Sequence, residues 1–350
     1  MTDRPHGAPG APTAAGAGFI DVHAHCLPEA YLAAAQRSGM AVFDGGYPIP
    51  SWSVDDALAF MDRQGIAAQV LSLASPPVHV VAGPERAVDL ARAANEEIAR
   101  IVDKRPDRFA ATAVLPLPDV DAALAAIDHC YDELGVVGVT LFTHYGGRYL
   151  GDPVFEPVFA ALNARRAVVL LHPTSPVCAD ETRLGRPAPV IEFPVDTTRA
   201  VADLLYAGTL LRHPDVRIVV PHAGAAVPAL AWRIARFAGD MPMPGRAAGL
   251  TPATVMEHIR GLYYDIALSA NQHALAALLT VTDPSHLLFG SDYPFAPEPV
   301  VRDNTAQFRV LPGLDDGSRD GIAGPNAARL FPALPGHREA FRPHHAGDDS

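Results

Sequence analysis

Residues 19–25, which read FIDVHAH, form a short apolar run that ends in polar residues. Side chains alternate along a β-strand, so His23 and His25, two positions apart, project to the same side of it. Two imidazoles placed in this way can share one metal ion. The stretch therefore predicts a strand whose carboxyl end carries part of a metal site.

Seven further apolar runs follow along the chain. They lie at 67–75, 109–117, 136–143, 167–173, 216–223, 263–268 and 286–293. Most of them are continuously apolar rather than alternating, which is typical of parallel strands that are covered on both faces. Segments with helical signals lie between them, and the clearest are 55–64, 86–105, 119–134 and 152–165. The last of these opens with Asp152 as a helix cap, followed by a proline.

Eight strands that alternate with helices over roughly 310 residues predict an α/β fold, a single-domain (β/α)₈ TIM barrel. The competing architecture is an open doubly wound sheet, but no G-x-G-x-x-G turn follows any of the runs. We expect the barrel to span residues 18–334. The Pro/Gly/Ala-rich residues 1–17 are predicted to be a disordered leader, and residues 335–350 a polar tail.

The composition excludes several classes of function. Lys+Arg number 27 and Asp+Glu 39, and the resulting formal charge of −12 argues against nucleic acid or an anionic membrane as a partner. No apolar run approaches the ~20 residues that a membrane helix needs. The three cysteines do not form a disulfide framework, so we expect a protein of the reducing cytoplasm.

Further metal-competent residues come directly after the apolar part of three other runs, namely His172, His222 and Asp292. Because the carboxyl ends of parallel strands meet at one rim of a barrel, we expect these side chains to lie near His23 and His25. A buried imidazole or carboxylate is costly unless it is satisfied, so core packing is a poor explanation for this pattern. Three histidines and one carboxylate (His23, His25, His172 and Asp292) suit one divalent ion. Zinc is the preferred ion and manganese the alternative.

The fourth run bears on the number of metals and on the substrate. Binuclear barrels commonly bridge their two ions with a carbamylated lysine on the fourth strand, but Lys104 is the only lysine of this chain and lies in a helical segment. A single metal is therefore the simpler interpretation. His144 follows the fourth run, and two interpretations of it stay open: a contact with substrate, or a loop histidine with local hydrogen bonds.

The strings DVHAH at 21–25, VVLLHP at 168–173, PHAG at 221–224 and FGSDYP at 289–294 resemble the amidohydrolase-related decarboxylases, a family that includes the aminocarboxymuconate-semialdehyde decarboxylases. The resemblance extends from about residue 18 to 330. Loop strings at 48–53, 138–141, 145–153 and 263–269 look closest to the 6-methylsalicylate decarboxylases within that family. An amidohydrolase-like barrel is the fold that the resemblance implies.

The resemblance also implies roles for individual residues. His23, His25, His172 and Asp292 would hold one zinc or manganese ion, and His222 would sit beside it and orient or deprotonate bound water or substrate. Arg233 matches an arginine that in a relative reaches into the active site of the neighbouring subunit, which implies a homodimer or a higher homo-oligomer.

A second, carboxylate-binding arginine of that relative has no counterpart here, since nothing between Arg37 and Arg63 is basic. This departure favours a substrate with a single acid group and an apolar substituent. The candidate wall residues are Phe43, Tyr47, Trp52, Phe142 and Phe295, of which Trp52 and Phe295 are the preferred pair.

These observations lead to a hypothesis of metal-dependent, non-oxidative decarboxylation of an ortho-hydroxybenzoate, a small aromatic carboxylic acid. The preferred reaction converts 6-methylsalicylate to 3-methylphenol and CO₂, with Asp292 and His222 as the candidate acids. The alternative is a mononuclear hydrolase that opens a lactone or an amide, because a metal lowers the pKa of bound water toward ~7.

Overall fold

The computed structural model describes residues 18–334 apart from 183, 241–244 and 333. The leader predicted at 1–17 and the tail predicted at 335–350 lie outside the described residues, and both stay predictions. No helix in the described part of the chain is both long and apolar enough to cross a membrane. The three cysteines are all free thiols.

Eight parallel strands form one sheet in which the spatial order follows the chain order. They are β1 (Phe19–Cys26), β2 (Ile66–Leu73), β3 (Phe109–Val114), β4 (Gly138–Phe142), β5 (Val168–His172), β6 (Arg217–Val220), β7 (Tyr263–Asp265) and β8 (Leu287–Leu288). Each predicted run corresponds to one of these strands, although most of the strands are shorter than the runs. A doubly wound sheet would reverse its order partway across, so this order confirms the predicted barrel.

The barrel closes through backbone hydrogen bonds between β1 and the segment that follows β8. The N–H of His25 donates to the carbonyl of Tyr293 at 2.7 Å. The N–H of Asp292 donates to the carbonyl of His23, also at 2.7 Å. The closure of the barrel therefore places Asp292 beside the two histidines of β1.

A local irregularity in β1 turns a histidine toward the barrel interior. The register of β1 against β2 shifts between Asp21 and Ala24. As a result Val22 and His23, although adjacent in sequence, both line a small cavity inside the barrel. Bulges next to active sites commonly re-aim a side chain in this way.

Apolar side chains fill the interior of the barrel away from the carboxyl ends of the strands. Val22, Val70, Leu170 and Val219 belong to one buried cluster, and Phe331, near the end of the described chain, packs into the same cluster. A larger cluster lies between the strands and the surrounding helices. The interior is thus a packed core, and a ligand can reach it only from the rim.

Helices surround the barrel. They are α1 (Glu29–Arg37), α2 (Val54–Gln64), α3 (Val78–Ala82), α4 (Pro84–Lys104), α5 (Val120–Asp132), α6 (Glu156–Ala164), α7 (Ala179–Thr182), α8 (Glu192–Tyr206), α9 (Thr209–Arg212), α10 (Val227–Asp240), α11 (Pro252–Gly261), α12 (Gln272–Leu278), α13 (Glu298–Val310), α14 (Asp316–Ala323) and α15 (Pro325–Leu330). Three of the four predicted helices match α2, α4 and α5 to within two residues at each end.

The fourth predicted helix begins differently. Asp152 does act as a cap, and its carboxylate accepts a hydrogen bond from the N–H of Val154 at 2.9 Å, but it caps a short 3₁₀ helix, Pro153–Phe155. The α-helical pattern of α6 begins only at Glu156. Pro157 has no N–H that could bond to the carbonyl four residues earlier, so the α-helix cannot extend back to Asp152.

Candidate active site

Five metal-competent side chains converge at the carboxyl rim of the barrel. They are His23 and His25 on β1, His172 at the end of β5, His222 in the turn after β6 and Asp292 after β8. The possible ligand atoms of His23, His25 and His172 all lie within 4.8 Å of one another, and so do those of His23, His222 and Asp292. The structure therefore brings together the five residues for which the sequence predicts metal-binding and catalytic roles.

The three histidines that the sequence assigns to the metal each use Nδ1 for a hydrogen bond away from the centre of the cluster. The partners are Asp265 Oδ2 for His23 (2.9 Å), Ser72 Oγ for His25 (3.0 Å) and the Pro173 carbonyl for His172 (2.7 Å). A carboxylate and a carbonyl can only accept, and the Ser72 hydroxyl donates its proton to the carbonyl of Ala24 at 3.1 Å, so all three rings carry the proton on Nδ1. The lone pair of Nε2 is thereby left for a metal ion.

An unsatisfied atom supports this interpretation. His23 Nε2 is buried and has no hydrogen-bond partner among the described residues. Asp292 Oδ1 lies 3.2 Å from His25 Nε2 and 3.5 Å from His23 Nε2. A buried polar atom without a partner is costly, and a cation bound to the three Nε2 atoms and this carboxylate would remove that cost. The residues present therefore fit one divalent ion, either zinc or manganese.

Burial is the main cause of the pKa shifts of His172 and His25. It lowers the pKa of His172 well below the ordinary value, and the nearby imidazoles add to the effect. It also lowers the pKa of His25. Burial alone would raise the pKa of Asp292, but the nearby imidazoles of His222, His25 and His23 outweigh it and hold that pKa well below the ordinary range. Neutral imidazoles and an ionised carboxylate are the forms that bind metals.

Two buried carboxylates support the cluster, and the sequence reasoning assigned no role to either. Asp265, the last residue of β7, also accepts from the backbone N–H of His222 at 3.1 Å. Burial would lower the pKa of His23, but Asp265 outweighs it and raises that pKa to about 9. Asp21 accepts from the N–H of His23 and from both the N–H and the hydroxyl of Ser291. Asp265 lies within the predicted run 263–268 rather than at its end, so the signal that marks His172 does not mark it.

The backbone is strained at two of the site residues. His222 has φ of +57° and Asp292 has φ of +63°, values that side chains other than glycine rarely adopt. The N–H of each residue is bound to a neighbour in the site, His222 to the carboxylate of Asp265 and Asp292 to the carbonyl of His23. Strained residues fixed by their surroundings cluster at active sites, because the strain holds a side chain in one direction.

A cavity of about 500 Å³ opens onto the cluster, and His172, His222 and Asp292 contribute to its wall. Phe295 also lines it, with its ring centroid 5.5 Å from that of His25 in an edge-to-face arrangement. The remaining wall is largely apolar and includes Tyr47, Phe193, Leu268 and Val300. Among the described residues that line the cavity there is no lysine or arginine. The space suits an aromatic ring that carries an acidic group toward the metal ligands.

Two residues that the sequence predicts to contact the substrate do not line the cavity. Trp52 is partly buried against the apolar core and is not among the residues that line the cavity. His144 donates from Nε2 to the carbonyl of Ser175 at 3.0 Å and accepts at Nδ1 from the N–H of Gly147 at 3.2 Å. Both ring nitrogens of His144 are thus used locally, which matches the second of its two open interpretations.

Arg233 lies on the exposed face of α10, with its guanidinium carbon 4.6 Å from the ring centroid of Phe237. It does not line the cavity of its own chain. Its predicted position in a neighbouring subunit's site concerns a second copy and stays a prediction.

Comparisons with known proteins agree with this geometry. Residues 20–333 match the family described as Amidohydrolase. The 6-methylsalicylic acid decarboxylase of Aspergillus aculeatus is 36% identical over 320 residues, which cover 90% of this chain and 96% of that protein. The solved structure of an amidohydrolase II is 30% identical with a TM-score of 0.83, and the match covers 90% of this chain and 99% of that one.

A second solved structure resembles the fold. A dihydroxybenzoic acid decarboxylase from Polaromonas sp. JS666, with bound manganese and the inhibitor 2-nitroresorcinol, is 24% identical with a TM-score of 0.75. The match covers 90% of this chain and 97% of that one. With a family match over nearly all of the barrel, a relative above 30% identity and a rim of metal ligands, the chain belongs to the amidohydrolase family and is one of its metal-dependent decarboxylases.

Proposed function

We propose that this protein decarboxylates an ortho-hydroxybenzoate without oxidation, and that its substrate is 6-methylsalicylate, which gives 3-methylphenol and CO₂. The observation that carries the proposal is the convergence of three histidine Nε2 atoms and one carboxylate at the edge of an apolar cavity of about 500 Å³. The relative from Aspergillus aculeatus supports the choice of substrate. The preference for a lyase over a hydrolase rests on the same likeness.

His23, His25, His172 and Asp292 would hold the ion. When bound, a divalent cation acts as a Lewis acid on the phenolic and carboxylate oxygens of the substrate and fixes the direction of its ring. Three imidazole ligands favour zinc. The manganese in the Polaromonas enzyme supports manganese as the alternative.

The cavity wall binds the ring of the substrate, and two titratable residues transfer the proton that the reaction needs. Phe295, Phe193 and Tyr47 exclude water from the ring and bury its apolar face. His222 Nε2 lies 3.7 Å from Asp292 Oδ2, so these two residues form a pair that can hold and pass one proton. The pair delivers that proton to the ring carbon that bears the carboxylate. The carbon–carbon bond then breaks, its electron pair returns to the ring, and CO₂ leaves, so one proton enters for each CO₂ released.

We further propose a homo-oligomer, at least a dimer, in which Arg233 of a second copy approaches the cavity. The cavity has no lysine or arginine among its described lining residues, so a cation from another chain would balance the substrate's charge. Trp232, next to Arg233 on α10, is 74% exposed, and tryptophan and arginine are enriched at protein interfaces. The cytoplasmic location stays a prediction.

The direct test incubates purified, metal-loaded protein with 6-methylsalicylate, salicylate and 2,6-dihydroxybenzoate, and separately with lactones, while CO₂ and ring absorbance are followed. We expect CO₂ from 6-methylsalicylate in particular. Metal analysis of the protein as purified separates zinc from manganese. If no hydroxybenzoate yields CO₂, the proposal fails, and lactone opening in the same assay would favour the hydrolase.

The role of His222 is tested by His222→Asn with the metal content measured separately. We expect a normal metal content and a loss of turnover of about 100-fold or more, because the proton-passing pair is broken. His286→Asn is the matched control, since His286 lies at the amino end of β8, on the opposite side of the barrel. A loss of metal in the His222 variant would make this residue a ligand instead.

A further inference from the structure

One acidic residue of the cavity wall lies outside the metal cluster. Asp44 is at the tip of a small hairpin formed by Val42–Phe43 and Tyr47–Pro48, and it lines the cavity. The tip is packed closely, since a Cβ added at Gly45 would lie 2.9 Å from the Cβ of Ala188. Only glycine fits there, so the hairpin tip has a defined position at the cavity.

The carboxylate of Asp44 is fixed by three hydrogen bonds to one of its oxygens. Oδ2 accepts from Ser75 Oγ at 2.5 Å, from Thr174 Oγ1 at 2.5 Å and from the N–H of Ser175 at 2.8 Å. Ser75 follows β2, and the other two residues follow β5. No described residue donates a hydrogen bond to Oδ1. The group is thus held in the wall by the scaffold and cannot rotate away from a ligand without breaking three bonds.

The charges around the cavity are distributed unevenly. The titratable residues among its described lining are Asp44, Tyr47, His172, His222 and Asp292, and the last three belong to the metal cluster. Asp44 is therefore the one carboxylate of the described lining that lies outside that cluster, and no described lysine or arginine of the lining offsets it. A ligand that binds by one carboxylate at the cluster presents the rest of its ring to the remaining lining, to which Asp44 belongs.

We propose that Asp44 is a specificity-determining residue that excludes aromatic acids with a second ring carboxylate and restricts the site to monocarboxylic hydroxybenzoates. The inference rests on the proposed function, whose substrate class it narrows. Two carboxylates in a cavity of low polarity repel one another strongly, because water screens them poorly. A second carboxylate would also lose its hydration without meeting a lysine or arginine in the described lining of its own chain, whereas a methyl group has no such hydration to lose.

Asp44→Asn tests the charge with almost no change in shape. Its amide oxygen can accept the same three hydrogen bonds. Dissociation constants for salicylate and for the 3-, 4- and 5-carboxysalicylates are measured by calorimetry on the metal-loaded protein, with kcat/KM for any ligand that turns over. We expect at least one dicarboxylate to bind about tenfold or more tightly in the variant than in the wild type, and salicylate to change by no more than about twofold. Ser269→Ala, a neutral change in the same lining, is the control and should leave the ratio unaltered.

A second measurement uses the wild type alone and does not depend on the folding of the variant. We expect 5-carbamoylsalicylate, which is neutral at the added group, to bind more tightly than 5-carboxysalicylate, which has nearly the same shape. Equal binding of each carboxysalicylate and its amide, or an equal change for salicylate and all dicarboxylates in Asp44→Asn, would overturn the proposal. Absence of CO₂ from every hydroxybenzoate, with the binding preference intact, would refute the proposed function and leave the role of Asp44 standing.

Discussion

The three histidines of the candidate metal site owe their direction to what holds their other nitrogen. His23, His25 and His172 donate from Nδ1 to a carboxylate, a hydroxyl and a carbonyl, respectively. Of these partners only Asp265 carries a charge, and it also holds the backbone of His222. One carboxylate therefore orients both a metal ligand and a member of the proton-passing pair.

We expect Asp265→Asn to weaken metal binding by about 10- to 100-fold, the usual effect of losing a carboxylate behind a ligating histidine. The variant can still hydrogen bond, but an amide can donate as well as accept and no longer fixes the tautomer of His23. Competition with a chromophoric chelator measures the dissociation constant. Asp283→Asn, at a helix cap before β8, is the matched control. An unchanged dissociation constant in Asp265→Asn would show that Asp265 does not orient His23.

The metal ligands could be predicted from the sequence because each of them lies in the carboxyl half of a buried strand or shortly after one, and a polar residue in that place has few explanations. This pattern does not identify Asp265, because Asp265 ends a strand of only three residues whose first two are tyrosines. Trp52 and Phe295 were indistinguishable in the sequence, since whether an aromatic ring faces the core or the cavity depends on loops that cross the rim. Asp44 is recognisable only through Ser75 and Thr174, which are distant from it in the chain.

At the scale of helices, too, features set by neighbouring residues in the sequence can be predicted, and contacts between distant residues cannot. The cap at Asp152 follows from its own sequence, whereas the ion pairs that join α6 to α9 do not. Glu156, at the start of α6, accepts two hydrogen bonds from Arg212 and one from His213, all at 2.8 Å. Arg212 ends α9 and His213 follows it, so this contact fixes two neighbouring helices of the outer layer to each other.

This contact predicts a pH-dependent contribution to stability. Hydrogen bonds from Arg212, and then from His213, lower the pKa of Glu156 from 4.5 to about 2. Because the pKa is lower in the folded protein, the stabilisation is complete above about pH 4.5 and is lost as the pH falls toward 2. We expect Glu156→Gln to reduce the free energy of unfolding at pH 7 by about 0.5–1 kcal/mol, a modest value because the side chain is partly exposed to solvent that screens the pair.

Urea unfolding of wild type and variant at several pH values measures this difference. The two free energies should approach each other between pH 4.5 and 2. Any loss of metal in acid affects both proteins and cancels in the comparison. A difference that stays constant over this range would mean that the ionised carboxylate of Glu156 does not stabilise the fold.

The closed barrel separates stability from chemistry, since one end is packed around Phe331 and the other carries every candidate site residue found in this chain's cavity. This division between the two ends of the barrel leaves the charge of the cavity unexplained. The proposed substrate is an anion, yet the described lining of the cavity offers no arginine, while Arg233 and Trp232 lie exposed on α10. A second copy that covers this helix would account for both observations.

Mixing two inactive variants distinguishes a site shared between chains from one complete in a single chain. We expect Arg233→Ala and His222→Asn to be nearly inactive separately. Arg233→Ala removes the cation that each chain contributes to its partner's site, and His222→Asn breaks the proton-passing pair in the chain's own site. In a mixed dimer one of the two sites regains both residues, so randomly exchanged subunits should recover about a quarter of the wild-type activity. Light scattering after size-exclusion chromatography establishes that the mixture contains dimers or larger assemblies. A mixture no more active than its separate components, or a monomer with full activity, would show that Arg233 does not complete a neighbour's site.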